Sequence, residues 1–340
     1  MKKRIICICM AALLSLSLLA GCGAEGNTDT EQDAAAQTVT VRLSEVTHSV
    51  FYAPQYVAIS QGFFADEGLD VVLSNGGGAD KVMTAVVSGQ ADIGLAGAEA
   101  CIYVYNQGKE DYPMLFAQLT KRDGSFLVGR TDEDFRWENL KGKTIIGGRA
   151  GGMPEMTLEY VMDSNGVTPH VDAVVDTSVQ FNMMAGAFTG GNGDYVALFE
   201  PTATEVVEAG QGYILCSIGE ATGEVPYTAY FANRSYMAQH PEVMQGFTNA
   251  IARAQQWVAA HTDREVAEAI ADQFPDTDIG VLETVTARHR AIDAWKLTPE
   301  LEEQSLVNLQ KVMEHAGELS RSQWVDFDRL VDNSWAKNIS

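Results

Sequence analysis

Leu69-Asp70-Val71-Val72-Leu73-Ser74-Asn75-Gly76-Gly77-Gly78 opens as an apolar strand pattern and ends in a polar, glycine-rich turn. A helix is predicted directly beyond it, near Asp80 to Ser88. Ala91 to Leu95 then reads as the next strand. Gly97-Ala98-Glu99 opens a further helix through Tyr105, and Met114 to Leu119 is a strand again. Upstream, Val39-Thr40-Val41-Arg42-Leu43 alternates like a strand, and Tyr56 to Phe64 reads as a short helix halted by Gly68. Strand and helix alternate throughout, which is the pattern of an α/β layer with a mostly parallel sheet between helices.

The alternation restarts after Asp123. Phe126 to Gly129, Thr144 to Gly147, Val171 to Val175 and Tyr195 to Phe199 read as strands. Pro154 starts a helix that runs to Met162, as a proline at a first helical position should. Tyr227 to Ala232 is a strand with no short-range partner. From His240 the chain turns helical, with Phe247, Ile251, Ala254 and Val258 on one face, and Leu306, Leu309 and Met313 on another. Two α/β units joined near residues 120–126 and 223–233 predict two lobes with a cleft. The expected boundaries are 38–122 plus 228–340 for lobe 1 and 123–227 for lobe 2, with the C-terminal helices packed back on lobe 1.

The first residues carry a different message. Lys2, Lys3 and Arg4 precede 16 uncharged residues, Ile5 to Ala20. That run suits a signal h-region better than a membrane span. Leu19-Ala20-Gly21-Cys22 follows and resembles the lipobox of bacterial lipoproteins. The resemblance implies cleavage of residues 1–21, lipidation of Cys22 and a mature protein held on the extracytoplasmic face of the cell membrane. Residues 22–37 contain no large apolar side chain and read as a flexible tether with a reach of about 20 Å.

Losing Lys2, Lys3 and Arg4 takes the formal charge from −23 to −26. So acidic a chain is not expected to bind nucleic acid. Cys101 and Cys216 are the cysteines left after Cys22. They either pair outside the cell or remain buried thiols.

Signals for catalysis are weak. Gly147-Gly148-Arg149-Ala150-Gly151-Gly152 lacks the dinucleotide spacing and is not followed by a P-loop Lys-Ser/Thr pair. There is no G-x-S-x-G. The histidines (48, 170, 240, 261, 289 and 315) are never three or four apart, so no metal site is expected. No cofactor is expected, and the chain is read as a monomeric binding protein. A tethered extracellular enzyme is the alternative from another class.

What remains are strand-to-helix junctions rich in glycine and small polar residues, where open α/β sheets hold their ligands. The candidates are His48, Phe51, Tyr52, Gly77, Gly97, Glu99, Thr120, Arg149, Gly152, Phe181, Glu200 and Tyr227. Glu200, at a strand end before Pro201, is expected to aim its carboxylate into the cleft. Arg149, flanked by glycines at a helix start, suits either an anion or a surface acid.

His48-x-x-Phe51-Tyr52-Ala53-Pro54-Gln55-Tyr56-Val57-Ala58 and Gly62-Phe63-Phe64-x-x-x-Gly68-Leu69-Asp70-Val71 are similar to the opening of a solute-binding family. So are Gly89-Gln90-Ala91-Asp92-Ile93-Gly94, Asn139-Leu140-Lys141-Gly142-Lys143 and His240-Pro241-Glu242-Val243. This is the taurine, alkanesulfonate, nitrate and thiamine-pyrimidine branch of ABC importers, the SsuA/THI5-like proteins. The resemblance implies a type II periplasmic-binding-protein fold that closes by hinge motion on a small molecule. It also implies an ABC permease and a cytoplasmic ATPase as partners.

One branch of that superfamily comprises pyrimidine synthases that consume their own histidine with pyridoxal phosphate. Their cysteine-rich run would fall near Gly147 to Met156, where this chain has no cysteine. Two ligand classes stay open. A sulfonate or related anion would use Arg149, Arg122 or Lys81. A thiamine-precursor-like pyrimidine would use walls from Phe51, Tyr52, Tyr103, Phe181, Phe199 and Tyr227, with Glu200 as the carboxylate.

Overall fold

The computed structural model describes residues 38–339; the expected leader, the tether and Cys22 lie outside them. Strands β1 (Val39–Glu45), β2 (Leu69–Asn75), β3 (Ile93–Ala96), β4 (Pro113–Thr120) and, far later, β10 (Thr228–Asn233) form one sheet in the order β2-β1-β3-β10-β4. The second sheet holds β5 (Phe126–Gly129), β6 (Thr144–Ile146), β7 (Val174–Asp176), β8 (Tyr195–Leu198) and β9 (Tyr213–Ser217), in the order β7-β6-β8-β5-β9. β1 runs parallel to β2 and β3, while β10 is antiparallel to β3 and β4. In the second sheet β6 is parallel to β7 and β8, and β5 is antiparallel to β8 and β9. Both sheets are therefore mixed, each with a single reversed strand. In each it is the strand the chain enters on crossing from the other sheet.

Burial follows from position in these sheets. Every residue of the interior strands β3, β5 and β8 is buried, as sheets covered on both faces require. The edge strand β2 buries only Leu69 fully. One apolar core joins the first sheet to the C-terminal helices, and a smaller one fills the second. Phe247, Ile251, Ala254 and Val258 are all buried on helix Pro241–Ala260, which packs on helix Ala53–Ser60 and on β4. Helix Glu303–His315 buries Leu306, Leu309 and Met313, and it reaches across to helix Met153–Ser164 beside the second sheet.

Three local expectations change. Tyr56 to Phe64 divides into helices Ala53–Ser60 and Phe63–Asp66, because Gly62 takes a left-handed conformation at φ 74°. Val171 to Val175 contributes only its last two residues to β7; Val171 itself is 80% exposed on a turn whose His170 has φ 59°. β9 and helix Met184–Thr189 arise in stretches where the sequence offered no clear period. Cys101, on helix Glu99–Asn106, and Cys216, on β9, are both free thiols.

The chain passes between the sheets at residues 121–125 and again at 218–227, and Asp123 lies at the first passage. It is fully buried. Its Oδ1 accepts from the backbone N–H and hydroxyl of Ser125 at 2.7 and 2.6 Å, and its Oδ2 accepts from the Thr157 hydroxyl. Burial raises its pKa, while the donors from Ser125 and Thr157 pull it back. Val225 N–H donates to the Lys121 carbonyl at 3.0 Å, and Ile218 N–H to that of Ser125 at 3.1 Å.

Gly219 lies so close that a Cβ there would sit 1.9 Å from the Asp123 carbonyl oxygen. Gly219→Ala therefore lowers stability by about 1–3 kcal/mol or more in urea unfolding. Gly186→Ala, on a helix with nothing within 4 Å of the added carbon, leaves stability unchanged or slightly raised. Equal effects of the two substitutions would contradict the close-packed crossing.

Candidate ligand-binding site

A cavity open to solvent lies between the sheets. Its walls come from the carboxyl ends of parallel strands on both sides. Val46 and Thr47 follow β1, Gly77 to Asp80 follow β2, and Gly97 and Glu99 follow β3. From the other sheet, Arg149 and Gly152 to Pro154 follow β6, Gln180 and Phe181 follow β7, and Phe199 follows β8. Tyr52, Tyr227 and Thr228 complete the lining. This is where the crevice of open α/β sheets receives a ligand, here with two sheets facing each other.

One wall is aromatic. Phe181 and Phe199 have ring centroids 5.6 Å apart, and Phe199 and Tyr227 lie at 6.3 Å. Phe51 stands behind them, fully buried, 5.7 Å from Phe199 and 5.8 Å from Tyr227. The Tyr227 hydroxyl is buried beside Asp123 without a well-formed hydrogen bond, and burial drives its pKa far up.

The opposite wall carries Glu99, at the first turn of helix Glu99–Asn106, with 1% of its surface exposed. Its carboxylate folds back over Gly97. A Cβ on Gly97 would meet Glu99 Oε2 at 2.0 Å, so only glycine admits this conformation. Oε2 is buried with no hydrogen-bond partner. Burial raises the carboxyl to about 7, while the N–H groups of Glu99, Ala100 and Met153 and the charge of Arg149 pull it down. Two helix N-termini, one from beside each sheet, thus converge on this group. Arg149 lies across from it, half-exposed, with Nε 3.8 Å from Asp80 Oδ1.

Eight of the twelve residues expected from sequence meet in this cavity: Tyr52, Gly77, Gly97, Glu99, Arg149, Gly152, Phe181 and Tyr227. Of the other four, His48 and Glu200 line an adjoining pocket that shares Thr47, Phe181 and Phe199 with this cavity, and Phe51 and Thr120 line neither. Both ring nitrogens of His48 are engaged, Nδ1 with Glu45 at 2.8 Å and Nε2 with the Gln273 carbonyl at 2.7 Å. The Glu45 carboxylate raises the His48 pKa. Phe51 forms a second layer. Thr120 pairs its hydroxyl with that of Thr228 at 2.6 Å, across the β4–β10 pairing.

Glu200 is at its expected strand end and lines the adjoining pocket, but its carboxylate oxygens are already partnered. Its Oε2 accepts from the Thr204 N–H at 2.8 Å, capping the following helix turn, and its Oε1 meets Arg288 Nη1 at 2.5 Å. A carboxylate with a helix start and a guanidinium within reach is satisfied there first. Arg288 belongs to helix Ile279–Ala291, which packs on the first sheet's side, so this pair fastens one flank of the cavity. On another flank the Tyr103 hydroxyl donates to the Gly151 carbonyl at 3.0 Å. The residue that sequence reasoning undervalued is Glu99, whose signal was a glutamate two positions after a strand-end glycine.

Comparison with known proteins follows the geometry. The model of the NMT1/THI5-like family matches residues 50–265. YtlA of Bacillus subtilis (strain 168), whose name presents it as a candidate binding protein, is 42% identical over 98% of this chain and 96% of its own. The 4-amino-5-hydroxymethyl-2-methylpyrimidine phosphate synthase of Candida albicans (strain WO-1) is 24% identical over 64% of this chain and 66% of its own. Among solved structures, the alkanesulfonate-binding protein SsuA from Xanthomonas axonopodis pv. citri, bound to MOPS, superposes with a TM-score of 0.69 at 17% identity. That match covers 88% of this chain and all of that one. The two-lobed periplasmic-binding-protein fold expected from the sequence is the fold present.

A raised carboxyl pKa makes a signed prediction. A folded-state value near 7 against an ordinary value of 4.5 means that the folded protein holds the Glu99 proton more tightly than the unfolded chain. That contribution is complete below about pH 4.5 and is lost as pH rises through about 7. Glu99→Gln is therefore expected to unfold at the wild-type denaturant concentration near pH 4.5 and to gain up to roughly 3 kcal/mol over wild type at pH 8. A difference that stays constant from pH 4.5 to 8 would contradict this.

Proposed function

We propose that this chain, which belongs to the NMT1/THI5-like family, is the substrate-binding protein of an ABC importer and captures a flat, amino-bearing heterocycle of the aminopyrimidine class. The observation that carries the ligand reading is Glu99 Oε2, buried and unpartnered in an aromatic-walled cavity. A buried acceptor without a donor costs about 1–3 kcal/mol, which a ligand N–H recovers on binding. Aminopyrimidines offer an exocyclic amino N–H for that purpose, their adjacent ring nitrogen being able to accept from the protonated carboxyl, and a planar ring suits Tyr52, Phe181 and Phe199. An aliphatic sulfonate would face Arg149 favourably but would be repelled by an ionised Glu99. The pyrimidine synthase name borne by one relative fits the same ligand class.

Carriage rather than catalysis is supported by the binding-protein names of a 42% identical relative and of the structural neighbours. The two sheets then act as lobes hinged at the crossings around Asp123, and the residues bridging the cavity flanks mark the closed arrangement. Lipidation at Cys22 would keep the protein beside its permease; among the described residues no helix is long and apolar enough to cross a membrane.

In calorimetry, 4-amino-5-hydroxymethyl-2-methylpyrimidine is expected to bind stoichiometrically and unchanged, and Glu99→Ala to weaken it roughly 10–100-fold. Binding of alkanesulfonates alone, weakened by Arg149→Ala and not by Glu99→Ala, would establish the anion reading instead. Conversion of the pyrimidine to a product would make the protein an enzyme. For the anchor, Cys22→Ser is expected to release the protein from the membrane fraction with ligand affinity unchanged. A variant that stays membrane-bound would contradict lipidation at this residue.

A further inference from the structure

Outside the cavity, helix Met153–Ser164 presents Glu155 and Glu159 four residues apart and therefore on one face. They are 5% and 6% exposed. Both are carboxylates, and they sit against each other as two acceptors with no donor side chain between them. The structure pairs neither with a lysine or arginine among the described residues; the one ion-pair partner is His170, whose Nε2 lies 2.6 Å from Glu159 Oε1. His170 reaches them from the turn after the helix, where its backbone takes φ 59°. Two buried carboxylates side by side carry the cost of desolvated like charges. Glu318 adds further negative potential.

We infer that Glu155, Glu159 and His170 form a divalent metal site of zinc type on the second sheet's first long helix. One ligand atom from each lies within 4.8 Å of the others. Around a tetrahedral zinc such atoms stand about 3.4 Å apart, so shifts of under about 1 Å close the set, with water in the fourth position. The imidazole selects zinc or a later transition metal over magnesium and calcium, which prefer all-oxygen shells. The ion would neutralise both carboxylates. It would also brace the cavity wall, because Glu155 Oε2 accepts from the Gly151 N–H at 3.1 Å and Gly152 lines the cavity. The histidine-spacing rule missed this set because it looks for paired histidines, whereas the readable signal was Glu-x-x-x-Glu.

The test uses the full chain, without a histidine tag, stripped with a chelator and titrated with zinc chloride in a calorimeter. One equivalent is expected to bind. His170→Ala and Glu159→Gln are each expected to weaken binding at least roughly tenfold. His261→Ala, a histidine stacked on Trp257 far along the chain, should leave it unchanged. Cobalt(II) added to the wild-type protein should give the intense visible bands of a low-coordinate site, a readout independent of whether the variants fold. No zinc binding up to about 100 μM, or binding undiminished in both variants, would overturn the site. Neither outcome bears on the aminopyrimidine reading, which is measured in metal-free protein.

Discussion

The rest of this structure depends on the buried carboxylate of Asp123. It stands where the chain first leaves one sheet for the other, and it draws Ser125 and the Thr157 hydroxyl of the second sheet's helix to the same point. The return passage runs alongside, with Gly219 stacked on the Asp123 carbonyl and Tyr227 beside its carboxylate. At each crossing the chain enters the next sheet as a reversed strand, and residues beyond the carboxyl ends of the remaining parallel strands line the gap between the sheets. The cavity is the consequence of that arrangement, and its chemistry follows from which residues sit at those strand ends.

Two glutamates show how position and chemistry separate. Glu200 and Glu99 both follow a strand and both are buried. Glu200 finds the Thr204 N–H and the Arg288 guanidinium, so its charge is spent holding the flank of the cavity together. Glu99 finds helix-terminal N–H groups on one side and nothing on the other, so one oxygen is left without a partner. Partner supply, more than burial, decides which of them is available for recognition.

Much of this was legible beforehand. The alternating run at 39–43, the apolar runs at 69–74 and 126–129 and the apolar face of helix Pro241–Ala260 translate into elements with little change, because hydrophobic patterning is a local property. Strand β10 was readable as a strand but not as the inserted neighbour of β3 and β4, since pairing across more than a hundred residues leaves no local mark. For the site, strand-end glycines led to Gly77, Gly97 and Gly152, and the aromatics to Tyr52, Phe181 and Tyr227. What stayed hidden was side-chain direction. His48, Thr120 and Glu200 lie in the right places in the chain, but their polar atoms are claimed by Glu45, Thr228 and Arg288. Arg288 lies 88 residues beyond Glu200, so no reading of the strand end could have foreseen it.

The central claim is that Glu99 is the acceptor around which a ligand is held between the sheets. A crystal structure of the complex with 4-amino-5-hydroxymethyl-2-methylpyrimidine tests it most directly. The account predicts the ring against Tyr52, Phe181 and Phe199, with a ligand nitrogen about 2.7–3.2 Å from a Glu99 carboxylate oxygen. A ligand bound between the sheets with Glu99 still unpartnered, or bound outside this cavity, would contradict it.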